Sequence, residues 1–554
     1  MKPIFTFFLL LLFCSNSFGQ LLYLDIKTKN SSDNKVIDSL GISKAHSNTK
    51  LIFTEIDILT NKLNKIGYIN LSAIQQSKPN DSTFQFEIDL KNQIKFINIY
   101  IGTNSETQIA GIDDLNAFTK RIKFDESTTF LNQLSMKLEA KGYSQAKVQL
   151  VNITQIENHL TADLKIELGT KRIINEVVIV GYDKFPIGIK KNILREFKNK
   201  SFTTANLKIL KNKFDNFNFV SQTKYPEILF LSDTTKVYIY LQKAKANRFD
   251  GLVGFGNDEN TKLRFNGYLD LLLVNTINAG ERFNLNWKSD GNRQTNFNVG
   301  IEIPYVFKSR FIVKSQLQIF KQDSLFQNTK IIADLGYLLR FNTRIFAGIQ
   351  STESTNIQNT SSNINSFDTE FGTIQFEYNK MRDRENPYYF LFPEHSRISL
   401  KAGLGKRQSL GNIDSQKFIN VETLHNINIS KKISVNVRAS GAILKSNSYF
   451  INELYRFGGI NSIRGFNENS LQANAFLIGM AELRYAISPS LYVNTVTDYG
   501  FFQDETTNQN GQLTGFGAGF GLLTKNGVLQ FIYANGQQNS QGNSIVHLNY
   551  KIGF

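Results

Sequence analysis

Alternation between apolar and polar residues dominates the second half of the chain, residues 246–554, and limits what it can fold into. Stretches such as "LKAGLGKRQ" and "FLIGMAELRYAI" have the period of two that predicts β-strands, and loops rich in Asn, Ser, Gly and Thr separate them. Phe and Tyr are abundant, at 46 and 21 residues against one Trp, and no run beyond the N-terminus approaches the ~18 apolar residues of a membrane helix. The pattern predicts an all-β transmembrane barrel, and the length accommodates 16 antiparallel strands with their loops.

The end of the chain, "SIVHLNYKIGF", has the clearest alternation. Its polar positions are His547, Asn549 and Lys551. Its apolar face consists of Val546, Leu548, Tyr550, Ile552 and Phe554. A terminal strand that is apolar outward and ends on an aromatic residue resembles the signal by which outer-membrane barrels are recognised for insertion. A strand of a soluble β-sandwich alternates in the same way, so the length of the region, the N-terminal segment and the terminal Phe favour the barrel.

The N-terminus, "MKPIFTFFLLLLFCSNSFGQ", is typical of a secretory signal peptide over residues 1–19. Lys2 precedes an apolar run that ends at Phe13, and Ser17-Phe18-Gly19 is a small-x-small cleavage signal. Cys14 would fit a lipoprotein, but Phe13 stands where a lipobox has Gly or Ala. As Cys14 is the only cysteine, disulfides, thiolate nucleophiles and cysteine metal sites are excluded from the mature chain. These features predict export to a bacterial envelope.

Residues 20–245 contain three similar segments, which end "KLNKIGY", "KLEAKGY" and "KFDNFNF" at intervals of about 75 residues. Each ends an amphipathic helix whose apolar residues share one face: Ile52, Ile56, Leu59, Leu63 and Ile66, then Leu131, Leu134 and Leu138, then Leu207, Leu210, Phe214 and Phe217. Alternating strands flank each helix. We therefore predict three αβ modules, over residues 20–92, 93–170 and 171–245.

The residue after each predicted helix is suited to a left-handed cap. Gly67 and Gly142 occupy this position in the first two modules, and Asn218 occupies it in the third. Glycine adopts positive φ at little cost, and asparagine is the next best residue for that conformation.

The three modules resemble polypeptide-transport-associated (POTRA) domains, although an unrelated small αβ repeat would share this pattern. With the barrel, the chain resembles the BamA/TamA superfamily of outer-membrane assembly barrels and the related two-partner-secretion transporters. The most specific match is Ile463-Arg464-Gly465-Phe466, which resembles the family's [VI]-R-G-[FY] motif. The resemblance implies that the family's sixth extracellular loop folds into the lumen and that its arginine meets acidic residues of the barrel wall.

Two wall acids are candidates for this pairing. Strand alternation points Glu482 and Asp498 inward, and residues 496–500 resemble the family's [FG]-x-D-x-G apart from the first position. We expect Arg464 to pair with Asp498, with Glu482 close by, because a guanidinium in a narrow barrel loses hydration that carboxylates must replace. Gly465 would permit a backbone turn, and Phe466 would contact the lumen wall. The pairing would stabilise the barrel, serve transport, or both.

The predicted function is non-enzymatic assembly or translocation of polypeptides at the outer membrane, in a TamA-like or short BamA-like manner. POTRA-like sheet edges would bind unfolded clients, and the barrel would open between its first strand and its last, which carries Leu548, Tyr550, Ile552 and Phe554. The alternatives are two-partner secretion and a passive porin or ligand-uptake barrel.

The expected partners are unfolded outer-membrane or secreted polypeptides, a periplasmic or inner-membrane accessory protein, and outer-membrane lipid. The net charge of +16 would suit anionic headgroups, surface glycans or solvent, and nucleic acid is not expected in an exported protein. The five histidines lack metal-ligand spacing and no G-x-S-x-G segment occurs, so we expect no enzyme activity, metal or cofactor.

Overall fold

The computed structural model describes residues 21–102, 118–257, 263–289, 294–322, 325–358, 364–384, 386–525, 527–538 and 541–552. The predicted signal peptide, Cys14 and Phe554 lie outside the described residues. The chain divides into two compact units, of which the first comprises residues up to 173 with 201–206, and the second comprises residues 174–200 with the rest of the chain from 207.

The first unit contains two four-stranded sheets of the same design. The first sheet has the order β2-β1-β4-β3, in which β1 and β4 are parallel. Its helices cover one face, because Ile52, Ile56, Leu59 and Leu63 are buried against the apolar residues of β1 and β4. The elements are β1 (Leu22–Thr28), α1 (Ser31–Ser39), β2 (Ala45–His46), α2 (Thr49–Lys65), β3 (Ser72–Asn80) and β4 (Thr83–Asp89).

The second sheet repeats this arrangement in the order β6-β5-β8-β7, with β5 parallel to β8. Its helix buries Leu134 and Leu138 against the alternating apolar residues of β8. The elements are β5 (Phe96–Tyr100), β6 (Thr119–Lys123), α3 (Ser127–Ala140), β7 (Lys147–Ile156) and β8 (His159–Glu167).

The third sheet belongs to the second unit. Strand β12 pairs in parallel with β9 and antiparallel with β10 and β11. The elements are β9 (Glu176–Val180), α4 (Ile187–Phe197), α5 (Thr204–Asp215), β10 (Val220–Gln222), β11 (Glu227–Phe230) and β12 (Thr235–Lys243). All three sheets thus place a first strand parallel to a later central strand, and the predicted repeat of αβ modules is confirmed.

The glycine caps form in two modules only. Gly67 and Gly142 have φ values of 103° and 97°. Asn218 does not have a positive φ, so the prediction for the third module is wrong. Helix α5 ends earlier, at Asp215, and Phe217 lies beyond it, because the Phe217 amide donates to the Phe214 carbonyl in a tighter final turn.

Sixteen antiparallel strands form one sheet, in chain order from β13 to β30 apart from two short strands, and the predicted barrel is confirmed. The short strands β24 and β25 pair with each other. The strands are β13 (Arg248–Asn257), β14 (Leu263–Val274), β15 (Arg282–Ser289), β16 (Gln294–Val306), β17 (Phe311–Gln322), β18 (Phe326–Arg340), β19 (Thr343–Asn356), β20 (Phe367–Met381), β21 (Glu394–Ser409), β22 (Asn412–Asn428), β23 (Ile433–Lys445), β24 (Tyr455–Phe457), β25 (Leu471–Ala473), β26 (Ala475–Ser488), β27 (Leu491–Asp504), β28 (Gln509–Thr524), β29 (Gly527–Gln538) and β30 (Gln541–Ile552).

Burial alternates along the strands as the sequence pattern predicts. In β27 every second residue from Tyr492 to Asp504 is buried, and the residues between them are exposed. Large apolar side chains cover the outside, for example Phe249, Phe255 and Leu548, of which 70–77% is exposed. This outer surface suits lipid. None of the described helices is long and apolar enough to cross a membrane.

The third αβ module packs directly on the barrel rim. The Asn192 side chain of α4 donates to the carbonyl oxygens of Lys308 and Ser309, at 3.1 and 3.2 Å. The buried Asn275 side chain, after β14, donates to the Tyr182 hydroxyl at 2.9 Å. These buried polar contacts hold the module against two turns of the barrel.

Replacing Gly67 with alanine should lower the free energy of unfolding of the first module by more than about 3 kcal/mol. A Cβ at this position would lie 2.1 Å from the Ile94 carbonyl oxygen, in addition to the about 1–3 kcal/mol of left-handed strain. Gly142→Ala is the matched control, because its Cβ would meet only side-chain atoms at 3.3 Å or more and should cost the strain alone. Pulse proteolysis of the full-length protein across a urea series measures both, and equal losses would contradict the steric explanation.

Candidate functional site in the barrel lumen

The connection of residues 446–474 between β23 and β26, which we call loop 6, carries the sequence motif. It contains the β24–β25 hairpin and a tight turn in which the Gly459 amide donates to the Ile463 carbonyl at 3.1 Å. Gly465 has a φ of 88°, as a backbone reversal at this point requires. The turn presents Ile463–Phe466, which we call the latch.

Arg464 of the latch is fully buried and saturated by carboxylates. Its Nε and its backbone amide both donate to Asp498 Oδ2, at 2.8 and 2.9 Å, and its Nη2 donates to Asp498 Oδ1. Its Nη1 donates to Glu482. The structure therefore brings together the three residues that sequence reasoning proposed as partners.

The wall side of this pairing is itself a charge network. Glu482 also accepts from Arg438 at 2.7 Å and from Arg484 Nε at 2.8 Å. Three guanidinium groups thus share two carboxylates whose side chains are buried. Loss of Arg464 would remove the guanidinium that pairs with Asp498, whereas Glu482 would keep Arg438 and Arg484, and breaking a buried pair costs about 3–5 kcal/mol.

Apolar contacts and close backbone packing complete the latch. Ile463 and Phe466 are buried in a cluster whose other members are Phe457, Ala473, Ile478, Met480, Phe502 and Leu513. The Gly465 backbone lies so close to β29 that a Cβ there would be 2.2 Å from the Gly536 amide nitrogen. Its N–H donates to Nε2 of His547 on β30 at 3.0 Å.

A second buried arginine, which the sequence analysis did not identify, holds the other end of loop 6. Arg407 of β21 is 1% exposed and pairs with Glu453 of the loop at 2.5 Å and with Asp414 of β22. The Phe450 ring lies 4.0 Å from the guanidinium carbon. Alternation along β21 was the available signal for an inward Arg407, but nothing in the sequence links it to a glutamate 46 positions away.

Loop 6 reaches across the lumen. Near its start, the backbone carbonyl of Asn452 accepts from the Asn328 side chain of β18, and the Asn452 side-chain amide donates to the Ser354 hydroxyl of β19, both at 2.6 Å. Near its tip, the latch contacts β26, β27 and β30. The loop therefore joins two separate parts of the wall.

The remaining predicted residues lie elsewhere. Leu548 and Tyr550 point outward from β30, on the face opposite to His547, and do not join the latch. The backbone of Ile552 ends β30, and Phe554 lies outside the described residues. Within the described ranges, no group of three or more His, Cys, Asp or Glu side chains is arranged to hold a metal ion.

These features define the class, a 16-stranded outer-membrane barrel with POTRA-like modules and a loop held in its lumen. The Omp85 superfamily domain matches residues 275–554, just over half of the sequence, and the chain belongs to this superfamily. Membership places the protein in the outer membrane and gives it a role in assembly or translocation. No curated protein matches the sequence significantly.

Solved structures resemble the chain in fold. CdiB from Acinetobacter baumannii has 11% identity over 83% of this chain and 90% of its own, with a TM-score of 0.50. BamA from Haemophilus ducreyi lacking POTRA domains 1–3 has 14% identity over 81% and 98%, with a TM-score of 0.49. CdiB from Escherichia coli has 12% identity over 98% and 92%, with a TM-score of 0.46.

Breaking the latch pair should destabilise the barrel. Arg464→Gln and Asp498→Asn should each lower the free energy of unfolding by about 3–5 kcal/mol, and the double variant should lose about 1–3 kcal/mol less than the sum, because the two side chains interact directly. Denaturant unfolding in micelles, followed by the fluorescence of Trp287 in β15, the only tryptophan, measures these values.

Arg456→Gln is the control within loop 6. Arg456 lies 5.6 Å from the rings of Phe320 and Phe326, and removal of these cation–π contacts should cost no more than about 2 kcal/mol. If the losses in unfolding free energy for Arg464→Gln and Asp498→Asn are additive, the two side chains do not stabilise the barrel as a pair. Equal losses for Arg456→Gln and Arg464→Gln would likewise contradict a special contribution of the Arg464–Asp498 pair.

Loss of the second anchor should free the start of loop 6. In Arg407→Gln the buried Glu453 loses its guanidinium partner, so the free energy needed to open loop 6 should fall by about 1.4 kcal/mol or more. Added protease should therefore cleave loop 6 at least about tenfold faster. Arg397→Gln is the control on the same strand, because the one ion pair of Arg397 among the described residues is a largely exposed contact with Glu394 at 3.4 Å. Unchanged cleavage in Arg407→Gln would show that Arg407 does not hold the loop.

Proposed function

We propose that the protein is a non-enzymatic factor that inserts or exports polypeptide clients at the outer membrane, in a TamA-like or short BamA-like manner. The observation that carries the proposal is the buried pairing of Arg464 with Asp498 and Glu482 at the tip of a loop that crosses the lumen. Superfamily membership supports the same role in its coarser form.

The path of loop 6 favours polypeptide handling over the alternative of a passive pore. It is tied to the wall at Arg407 and Asn452 near its start and at Arg464 near its tip. A loop anchored at both ends across the lumen obstructs free diffusion of solutes. A barrel that acts by opening its wall tolerates this obstruction.

Clients would first bind the free edges of the POTRA-like sheets. Strand β7 is an edge of the second sheet and is ten residues long, with Ile153 and Ile156 about half exposed. An extended client segment adds to such an edge through main-chain hydrogen bonds, which impose little sequence specificity. Unfolded outer-membrane or secreted polypeptides are therefore the proposed partners, delivered with or without an accessory protein.

Insertion into lipid would then use the two ends of the barrel sheet, β13 and β30. Both carry exposed apolar side chains on the outer face, such as Phe255 and Leu548. A client strand that pairs with these ends satisfies its backbone groups while it enters the membrane, where unpaired backbone is costly. The three POTRA-like modules favour this role over two-partner secretion, whose transporters usually carry two.

Depletion of the protein followed by outer-membrane proteomics tests the proposal. We expect the amounts of several β-barrel proteins in the outer membrane to fall at least severalfold. Arg464→Gln at wild-type abundance should give a partial loss, because the tip of loop 6 is no longer held. Arg397→Gln should behave as the wild type. Loss of one secreted protein alone would favour two-partner secretion, and an unchanged proteome with impaired uptake of a solute would favour the porin.

A further inference from the structure

The last barrel strand bonds directly to the latch through a histidine that the function described above does not use. The Gly465 N–H donates to His547 Nε2 at 3.0 Å, and His547 is 7% exposed. Because Nε2 accepts this bond, the imidazole is neutral with its proton on Nδ1, as the hydrogen-bond geometry assigns it. His547 thus offers the latch the acceptor that its buried amide needs.

Glycines in the wall allow the latch backbone to reach β30. A Cβ on Gly515 of β28 would lie 2.4 Å from the Arg464 carbonyl oxygen, and a Cβ on Gly536 of β29 would lie 2.5 Å from the Gly465 carbonyl oxygen. Side chains at these two positions would push the latch away from the wall. With Glu482 on β26, Asp498 on β27 and His547 on β30, the latch therefore contacts five consecutive strands.

We propose that His547 is a positioning residue that joins the latch to the last strand, so that β30 and the latch are displaced together. This coupled displacement rests on the proposed function, because only a barrel that opens at β30 needs such a connection. If β30 moves away from the latch as the barrel opens, the buried Gly465 amide loses its acceptor. An unpaired buried amide is unfavourable, so the latch opposes movement of β30 until it is itself released.

The charged groups near His547 are those of the latch site. Arg464 and Asp498 neutralise each other directly, and Glu468 of loop 6 accepts the Ile460 amide at 3.1 Å. An amide donor to Nε2 and this balance of charge are both compatible with a neutral ring. If His547 instead only filled space beside the latch, an apolar side chain of similar size could replace it without loosening the latch.

Hydrogen–deuterium exchange of the full-length protein in lipid nanodiscs separates these roles. His547→Leu should speed exchange of the Gly465 amide about three- to tenfold, as the loss of one net hydrogen bond implies. In His547→Gln, whose side-chain oxygen reaches about as far as Nε2, exchange should stay within about twofold of the wild type. Asn549→Leu is the control, since Asn549 lies on the same face of β30 and the described residues show no bond from it to loop 6.

The effect of the latch on β30 provides a second measurement. Arg464→Gln should speed exchange in β30 as well as in β27, because the latch contacts both strands. Faster exchange in β27 alone would overturn the connection, as would an unchanged Gly465 amide in His547→Leu or an equal effect of Leu and Gln. The Arg464→Gln measurement remains decisive if His547→Leu fails to assemble, and neither measurement depends on client delivery.

Discussion

Burial of one guanidinium group away from bulk solvent is the constraint on which the rest of the lumen depends. Arg464 is fully buried, and a charge in that position is tolerated only when carboxylates surround it. Asp498 meets both its side chain and its backbone amide, so the acid fixes the direction of the chain as well as its charge. The tight turn before the latch, the left-handed Gly465 and the wall glycines Gly515 and Gly536 all follow from bringing that backbone against the wall.

The two ends of loop 6 are held by charge pairs of opposite arrangement. At the tip a loop arginine meets wall acids, and at the start the wall residue Arg407 meets the loop residue Glu453. Each anchor depends on its arginine, because without it Asp498 at the tip and Glu453 at the start each lose the guanidinium that pairs with them. Loop 6 is therefore anchored at both ends across the lumen. Displacement of either end separates a buried charge pair, and the separated charges then need hydration.

Period-two and helical patterns were enough to predict the three αβ modules, an all-β barrel whose length accommodates sixteen strands, and the inward direction of Glu482 and Asp498. These are local properties, in which each side chain reports its own environment. The contacts of Arg407 with Glu453, of Asn452 with Ser354 and of Gly465 with His547 could not be predicted, because they join segments 46, 98 and 82 residues apart. The cap prediction for Asn218 failed for a different reason, since helix α5 ends at Asp215, earlier than the apolar spacing indicated.

A cryo-electron microscopy map of the full-length protein in lipid nanodiscs tests the central claim most directly. We expect density for the Arg464 guanidinium in the lumen, within about 3 Å of the Asp498 carboxylate and beside Glu482. A loop 6 that lies outside the barrel, with Arg464 in solvent and Asp498 lacking a cationic partner, would contradict the account.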